Sequence, residues 1–377
     1  MHRYRIAWMP GDGVGNELLP LGIKILNTLK FKADYIHCDI GWEKWKNEGN
    51  PLPDKTISEL KKADCGFLGA ITSKPKEEAL KALKPEFKDK NLEYRSPILQ
   101  LRQKFNLHTN FRPCTSFVGN KNNHKEDIDL AIFRENSEGM YSGVEFYPIP
   151  SSVFDAIENQ NKNMRKFRIE KSDDIALSAR IITKTACKSI IQKAFEFALL
   201  NNRSSVTLVD KPNVLRETGS LFRQVALDIS KNFPTIKFQE VNIDAMCMWL
   251  IKNPNDFQVI VAENLFGDIL SDLSAQLVGG LGFAGSANLG DNFAIFEPCH
   301  GSAPKYYGMN KVNPIATFLS IKLMLDWLGE KFLSDVLFNS IQMVVKEEKI
   351  GTYDMGLKNS NIELTDEICK KIKIRLN

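Results

Sequence analysis

Apolar positions in this chain alternate between two rhythms. Compact apolar runs at residues 5–9, 34–38, 65–68 and 205–209 have the length and side chains of buried strands. Helical spacing at residues 17–29, 55–62, 184–200 and 266–277 predicts helices, each with an apolar stripe to lay on a sheet. Strands alternating with helices predict βαβ units, an α/β fold class, and ligand-binding loops at the strand ends. Two stretches interrupt the rhythm. Residues 73–91 are basic and contain proline, which reads as a surface excursion, and residues 144–175 pass through an Asn- and Lys-rich run with little core of its own.

Length and composition sharpen this picture. With 377 residues, 43% of them hydrophobic and 25% charged, the chain has material for about two domains. A net charge of +4, with lysines interleaved among acids, gives no nucleic-acid footprint. Seven cysteines, Cys38, Cys65, Cys114, Cys187, Cys247, Cys299 and Cys369, are scattered and never form C-x-x-C, as in a cytoplasmic protein with reduced thiols. No run has the length or apolarity of a signal peptide or a membrane span.

The first strand leads into Pro10-Gly11-Asp12-Gly13-Val14-Gly15. Its spacing is G-x-G-x-G and not the dinucleotide fingerprint G-x-G-x-x-G, so a Rossmann fold is not predicted. Further on, Asp268 and Asp272 lie four apart and leave one face of the predicted helix 266–277 about a turn from each other. Two carboxylates so placed repel unless a cation separates them, and oxygen ligands suit Mg²⁺ or Mn²⁺ better than zinc. A bare D-x-x-x-D also reads as a solvated helix face. Gly279, Gly280, Gly282 and Gly285 then mark a bend open to positive φ, and His300-Gly301-Ser302 reads either as a nucleotide-facing loop or as a capped turn.

Taken together, residues 259–314 resemble the metal-dependent β-decarboxylating dehydrogenases that act on isocitrate, 3-isopropylmalate and homoisocitrate, and the resemblance extends over essentially the whole chain. It implies an isopropylmalate dehydrogenase-like, non-Rossmann two-domain fold, a mixed β-sheet flanked by helices. Residues 1–107 and 279–377 would form a large cofactor-binding domain. Residues 108–278 would form a small domain with the dimer interface, including a clasp at about 139–183 that interlocks two subunits of a homodimer. By the same resemblance Arg102, Arg112 and Arg134, the last in R-E-N-S-E, hold the two carboxylates of a malate core, with Ser96 and Asn213 also at the substrate. Tyr141 is the implied proton donor to the enol, Lys211 the base relay, and Asp244 the third metal carboxylate beside Asp268 and Asp272, with Lys211 and Asp244 reaching across the dimer. Arginine suits its task, because its planar fork pairs bidentately with carboxylate and stays charged. From spacing alone the same arginines read as surface charges, and Lys211 as a salt-bridged lysine at a strand end.

The substrate class implied is a 2-hydroxy acid with a carboxylate on the adjacent carbon, a tri- or dicarboxylate. Isocitrate enzymes usually carry S-x-N ahead of the first arginine, whereas Ser96-Pro97-Ile98 keeps only the serine. A serine hydroxyl can bond a γ-carboxylate and would be idle against an isopropyl group, which orders the substrates as isocitrate, homoisocitrate, then 3-isopropylmalate. A noncatalytic regulatory subunit would have lost some of Tyr141, Lys211 and the aspartates, all of which are retained. Lys305 stands where NAD-dependent relatives carry an acid. The run H-G-S-A-P-K-Y, then Val312 and Asn313, then Tyr353, resembles NADP-dependent isocitrate enzymes, and Thr72, His300, Gly301 and Tyr306 complete the implied cofactor set. NAD stays possible, since Leu357 occupies the place of an expected arginine, with Lys358 beside it.

Overall fold

The computed structural model describes residues 3–376. Its strands are β1 (Tyr4–Gly11), β2 (Ala33–His37), β3 (Cys65–Ala70), β4 (Thr109–Thr115), β5 (Asp129–Glu135), β6 (Glu145–Phe146), β7 (Leu177–Ser178), β8 (Ser205–Asp210), β9 (Lys237–Asn242), β10 (Val259–Ala262), β11 (Gly285–Leu289) and β12 (Ala294–Pro298). Ten of them form one mixed sheet in the order β2-β1-β3-β12-β11-β4-β5-β10-β8-β9, while β6 and β7 pair separately. The outer strands run parallel within each half of the sheet. Between the halves, β11 is antiparallel to both β12 and β4, and β4 is antiparallel to β5. The chain therefore reverses direction at the middle of the sheet, where the segments 4–70 and 285–298 meet the segment 109–262.

Helices cover both faces, which is why β3, β8 and β10 are buried along their whole length. On one face a continuous apolar core runs across both halves, from Trp8 and Phe67 through Phe111 and Phe133 to Phe195, Phe222 and Phe318. The helix Lys184–Leu200 shows how sequence builds this layer. Thr183 caps it by accepting from the Ala186 amide at 3.2 Å, and Ala186, Ile190, Ala194 and Ala198 face the sheet at helical spacing.

The opposite face is divided. One apolar cluster lies under the helices Ile243–Lys252 and Asn264–Leu277, and another surrounds Ala7, Met9, Leu68 and Leu101. Side chains alternate along a strand, so the residues next to Phe111, Phe133, Ala287 and Phe296 project into the space between these clusters. The polar ones are Asn110, Arg112, Arg134, Ser286, Asn288 and Glu297, while Ile132 and Ile295 join the apolar clusters themselves. The sheet reversal thus places a polar gap in an otherwise apolar layer.

Several boundaries differ from the sequence reading. Arg102 lies on a helix, Pro97–Lys104, opened by proline at its first position. The helix Asn264–Leu277 starts two residues before the predicted one because the Glu263 carboxylate caps it, accepting from the Phe266 amide at 3.0 Å. The excursion 73–91 is anchored, since Ala79 and Leu83 pack with Trp45, whose indole donates to the Ala79 carbonyl at 2.8 Å. Residues 144–175 do contain a small core, with buried Ile149 and Phe154, the helix Ser151–Gln160, and Arg168 over the Phe154 ring at 4.5 Å. Gly279 and Gly280 take φ of +111° and +89°, while Gly285 simply opens β11. All seven cysteines are free thiols, and no helix among the described residues is long and apolar enough to cross a membrane.

Candidate active site

The polar gap gathers three buried arginines. Arg102, Arg112 and Arg134 are only 6%, 9% and 2% exposed, so the surface-charge reading does not hold for them. Register explains their meeting, because Asn110 of β4 lies opposite both Arg134 of β5 and Asn288 of β11. Each arginine donates its Nε to an asparagine oxygen: Arg102 to Asn288 at 3.0 Å, Arg112 to Asn110 at 2.7 Å and Arg134 to Asn264 at 3.0 Å.

The outer ends of the forks face carboxylates. Asp268 leaves the helix Asn264–Leu277 with Oδ1 on Arg134 Nη1, and its Oδ2 accepts from the Tyr141 hydroxyl at 2.7 Å. One turn later, Asp272 accepts from Arg112 Nη1 at 2.9 Å, and that nitrogen also donates to Ser271 Oγ at 2.6 Å. The helix approaches this closely because Gly267 rests on Arg134, where an added Cβ would lie 2.7 Å from Cγ. Burial, followed by the hydrogen bond to Asp268, raises the Tyr141 phenol above its ordinary range. Burial, followed by the charges of Arg102 and Arg112, pushes Arg134 below the usual arginine range.

Lys211 and Asp244 form a second locus. Lys211 Nζ pairs with Asp244 at 2.6 Å, and that hydrogen bond lowers the aspartate pKa. Behind Lys211, Asp210 accepts from the Lys211 amide at 2.8 Å and from Arg180 at 3.0 Å, fixing the strand end. Among the described residues no hydrogen bond or ion pair joins this locus to Asp268 or Asp272, and no cluster of three metal-ligating side chains forms. Asn213 is exposed in the loop after Lys211. Ser96 precedes the helix carrying Arg102, makes no capping bond, and keeps its hydroxyl 3.5 Å from that of Ser73.

The glycine turn 10–15 packs against the His300 loop. Asp12 is buried and accepts from the Trp42 and Thr72 amides at 2.8 Å each, so the turn organises backbone around a carboxylate. Gly13, at φ +50°, has no room for a side chain, since a Cβ would sit 2.1 Å from the Ser302 carbonyl oxygen. Thr72 and Ser302 hydroxyls meet at 2.5 Å. His300 contacts the Gly301 carbonyl through Nδ1 at 3.1 Å and holds a buried Nε2 with no partner. Lys305 is exposed, Tyr306 and Tyr353 stack with ring centroids 6.1 Å apart, and Asn313 donates to Asp354 at 3.0 Å, beside partly buried Val312.

The family model described as isocitrate/isopropylmalate dehydrogenase matches residues 5–372. The chain belongs to the isocitrate/isopropylmalate dehydrogenase family. It is 38% identical over 381 residues to the homoisocitrate dehydrogenase of Methanocaldococcus jannaschii, covering 99% of each chain. It is 39% identical over 353 residues to protein DlpA of Legionella pneumophila, covering 93% of this chain and spanning 56% of DlpA. The crystal structure of isocitrate dehydrogenase from Methylococcus capsulatus superimposes with a TM-score of 0.85 at 30% identity, covering 98% of this chain and 99% of that one. The isocitrate/isopropylmalate dehydrogenase fold, a mixed sheet flanked by helices, is the one this sequence adopts.

Within this family fold, sequence reasoning passed over Asn264, Asn288 and Glu297 and gave no role to Asn110 or Asn136. The only signal for the first three was a polar residue inside an apolar strand or at a helix start, which single-sequence reading assigns to turns and caps.

Proposed function

We propose that the protein oxidatively decarboxylates a 2-hydroxy-3-carboxy acid, isocitrate first among the candidates, with NADP as oxidant. The observation that carries this reading is the convergence of three buried guanidiniums with Asp268 and Tyr141 in one polar gap. Cations this deep need anionic partners, and a ligand with two carboxylates supplies them in the geometry that planar forks favour. Ser96, free of any capping bond, favours a third carboxylate on the substrate. Homoisocitrate is the second reading, supported by Ile98 in place of asparagine and by the methanogen relative.

The donor chemistry fits a divalent cation: Asp268 and Asp272 offer oxygens one turn apart, their side chains 32% and 60% exposed. With the partner's Asp244 they would hold Mg²⁺ or Mn²⁺, which when bound polarises the substrate hydroxyl and stabilises negative charge on oxygen. Among the described residues, Asp244 and Lys211 pair with each other and form no metal-ligating cluster with Asp268 and Asp272 within one chain, which favours a homodimer whose sites are shared, with residues 108–278 as the small domain, 139–183 as its clasp, and 1–107 with 279–377 as the large one. Arg102, Arg112 and Arg134 fix the substrate carboxylates and the partner's Lys211 takes the hydroxyl proton as hydride leaves carbon. Tyr141, a phenol with a raised pKa, then returns a proton to carbon after carbon dioxide departs.

The unpartnered His300 nitrogen and the exposed Lys305, Tyr306 and Tyr353 fit an adenosine carrying a 2′-phosphate. The test is steady-state kinetics with Mg²⁺, comparing isocitrate, homoisocitrate and 3-isopropylmalate with each nicotinamide cofactor. Isocitrate with NADP should give the highest kcat/KM, and a higher value for 3-isopropylmalate would refute the acidic-arm argument.

A further inference from the structure

The three arginines share a pattern that their sequence positions do not announce. Every acid that touches them does so at a terminal Nη: Asp268 on Arg134, Asp272 on Arg112, and Glu297 within 3.6 Å of Arg102 Nη2. Every Nε is held by a neutral amide, from Asn264, Asn110 or Asn288. Arginine nitrogens only donate, so each amide must turn its oxygen toward the guanidinium. The opposite ends of these amides are also committed. Asn264 Nδ2 donates to the Glu138 carbonyl at 3.2 Å, Asn110 Nδ2 to Asn288 Oδ1 at 3.1 Å, and Asn288 Nδ2 to Glu297 at 2.7 Å. Asn136 adds a third donor to Asn288 Oδ1 at 2.9 Å. Asn110, Asn264 and Asn288 are each 0% exposed.

We infer that Asn110, Asn264 and Asn288 are positioning residues that orient the arginine forks without discharging them. The inference rests on reading these arginines as holders of the substrate carboxylates. A neutral oxygen fixes the plane of a guanidinium by hydrogen bonding and leaves its full charge for the ligand. A carboxylate at the same place would still accept from Nε, but it would lose the Nδ2 donor and add a permanent negative charge beside an anionic ligand, in surroundings where screening is weak. The acids at the Nη edge are partly exposed, and an incoming carboxylate can exchange with them there. The asparagines at the Nε side are enclosed and stay. In each arginine the amide thus holds Nε, and in Arg134 also Nη2 at 2.8 Å, while the acids meet the remaining terminal nitrogens.

Asn264 offers the clearest test, because aspartate keeps its shape and acceptor oxygens and is tolerated at a helix start. Citrate serves as the probe: it is a tricarboxylate whose hydroxyl carbon bears no hydrogen to lose as hydride. Calorimetric titration at fixed ionic strength should show the unaltered protein binding citrate, Asn264→Asp binding it about tenfold more weakly, or about 1.4 kcal/mol, and Asn264→Ser, which loses the orienting oxygen but adds no charge, binding it only about threefold more weakly. Asn110→Asp should repeat the aspartate result if Asn264→Asp folds poorly, and melting curves identify folded variants. Equal weakening by aspartate and serine would reduce the asparagines to packing. Unchanged citrate affinity in both aspartate variants, or no citrate binding by the unaltered protein, would overturn the inference. Citrate binding that obeys this comparison, without oxidation of any of the three 2-hydroxy acids, would instead sink the proposed reaction alone.

Discussion

Asp268 meets Arg134 and Tyr141 through its two oxygens and lies 3.5 Å from Arg112 Nη2, so its charge faces two buried guanidiniums. Asp268→Asn should lower turnover by orders of magnitude with little change in the circular dichroism melt, since the substitution alters charge and not packing. Equal activity of variant and parent, both dependent on added Mg²⁺, would contradict this. His108 gives a different readout. It is buried with Nε2 3.3 Å from Asp291, and burial outweighs that largely exposed carboxylate to lower its pKa. A histidine with a depressed folded pKa stays neutral while the unfolded chain begins to protonate near about pH 6.5, so stability is full above that value and declines as pH falls toward the folded pKa. Melting temperatures of the parent should therefore drop more between about pH 7 and about pH 5.5 than those of His108→Asn. Parallel curves would show that His108 does not titrate differently in the two states.

Among the elements, the helix Asn264–Leu277 is held both at its start and along its flank. Glu263 fixes its start, and Gly267 sets its distance from β5, where a Cβ would stand 3.1 Å from the Arg134 Cα. Gly267→Ala must push the helix outward, which should cost about 1–3 kcal/mol and carry Asp268 away from Arg134. Thermal unfolding and kcat/KM should both decline, and a variant that loses neither would show that the helix can shift without strain. The spacing of Asp268 and Asp272 was legible in sequence because the helical period places i and i+4 on one face. The start of the helix was not, because a capping glutamate looks like any other acid until the chain turns around it.

At the scale of the whole molecule, the proposed sharing of Lys211 and Asp244 between subunits has a stoichiometric consequence. In a twofold dimer with shared sites, mixing equal amounts of inactive Tyr141→Phe and Lys211→Met subunits should recover about one quarter of the parent activity, through the one intact site of each mixed dimer. No recovery after subunit exchange would place each site within one chain. The nucleotide side makes its own prediction: Lys305→Asp with Tyr306→Ile should shift kcat/KM from NADP toward NAD, by removing a cation and a hydroxyl that face the solvent beside Tyr353. An unaltered enzyme that prefers NAD at fixed ionic strength would refute the phosphate reading.

The sequence by itself determined many of the elements, because hydrophobic period is a local property that survives in a one-dimensional string, while the roles expected of the arginines, Tyr141 and Lys211 came from the resemblance of their motifs to the family and not from spacing. It placed strands at β1, β3 and β8, the helix bearing two aspartates, and Arg134 and Tyr141 within one short motif. Only the tertiary structure decided which charges are buried together. Arg102, Arg112, Asn264 and Asn288 are separated by up to 186 residues, yet they meet because β11 and β4 run antiparallel at the middle of the sheet and expose one face between two apolar clusters. Burial of an arginine and neutrality of its nearest acceptor are properties of that assembled face, and no local pattern encodes them.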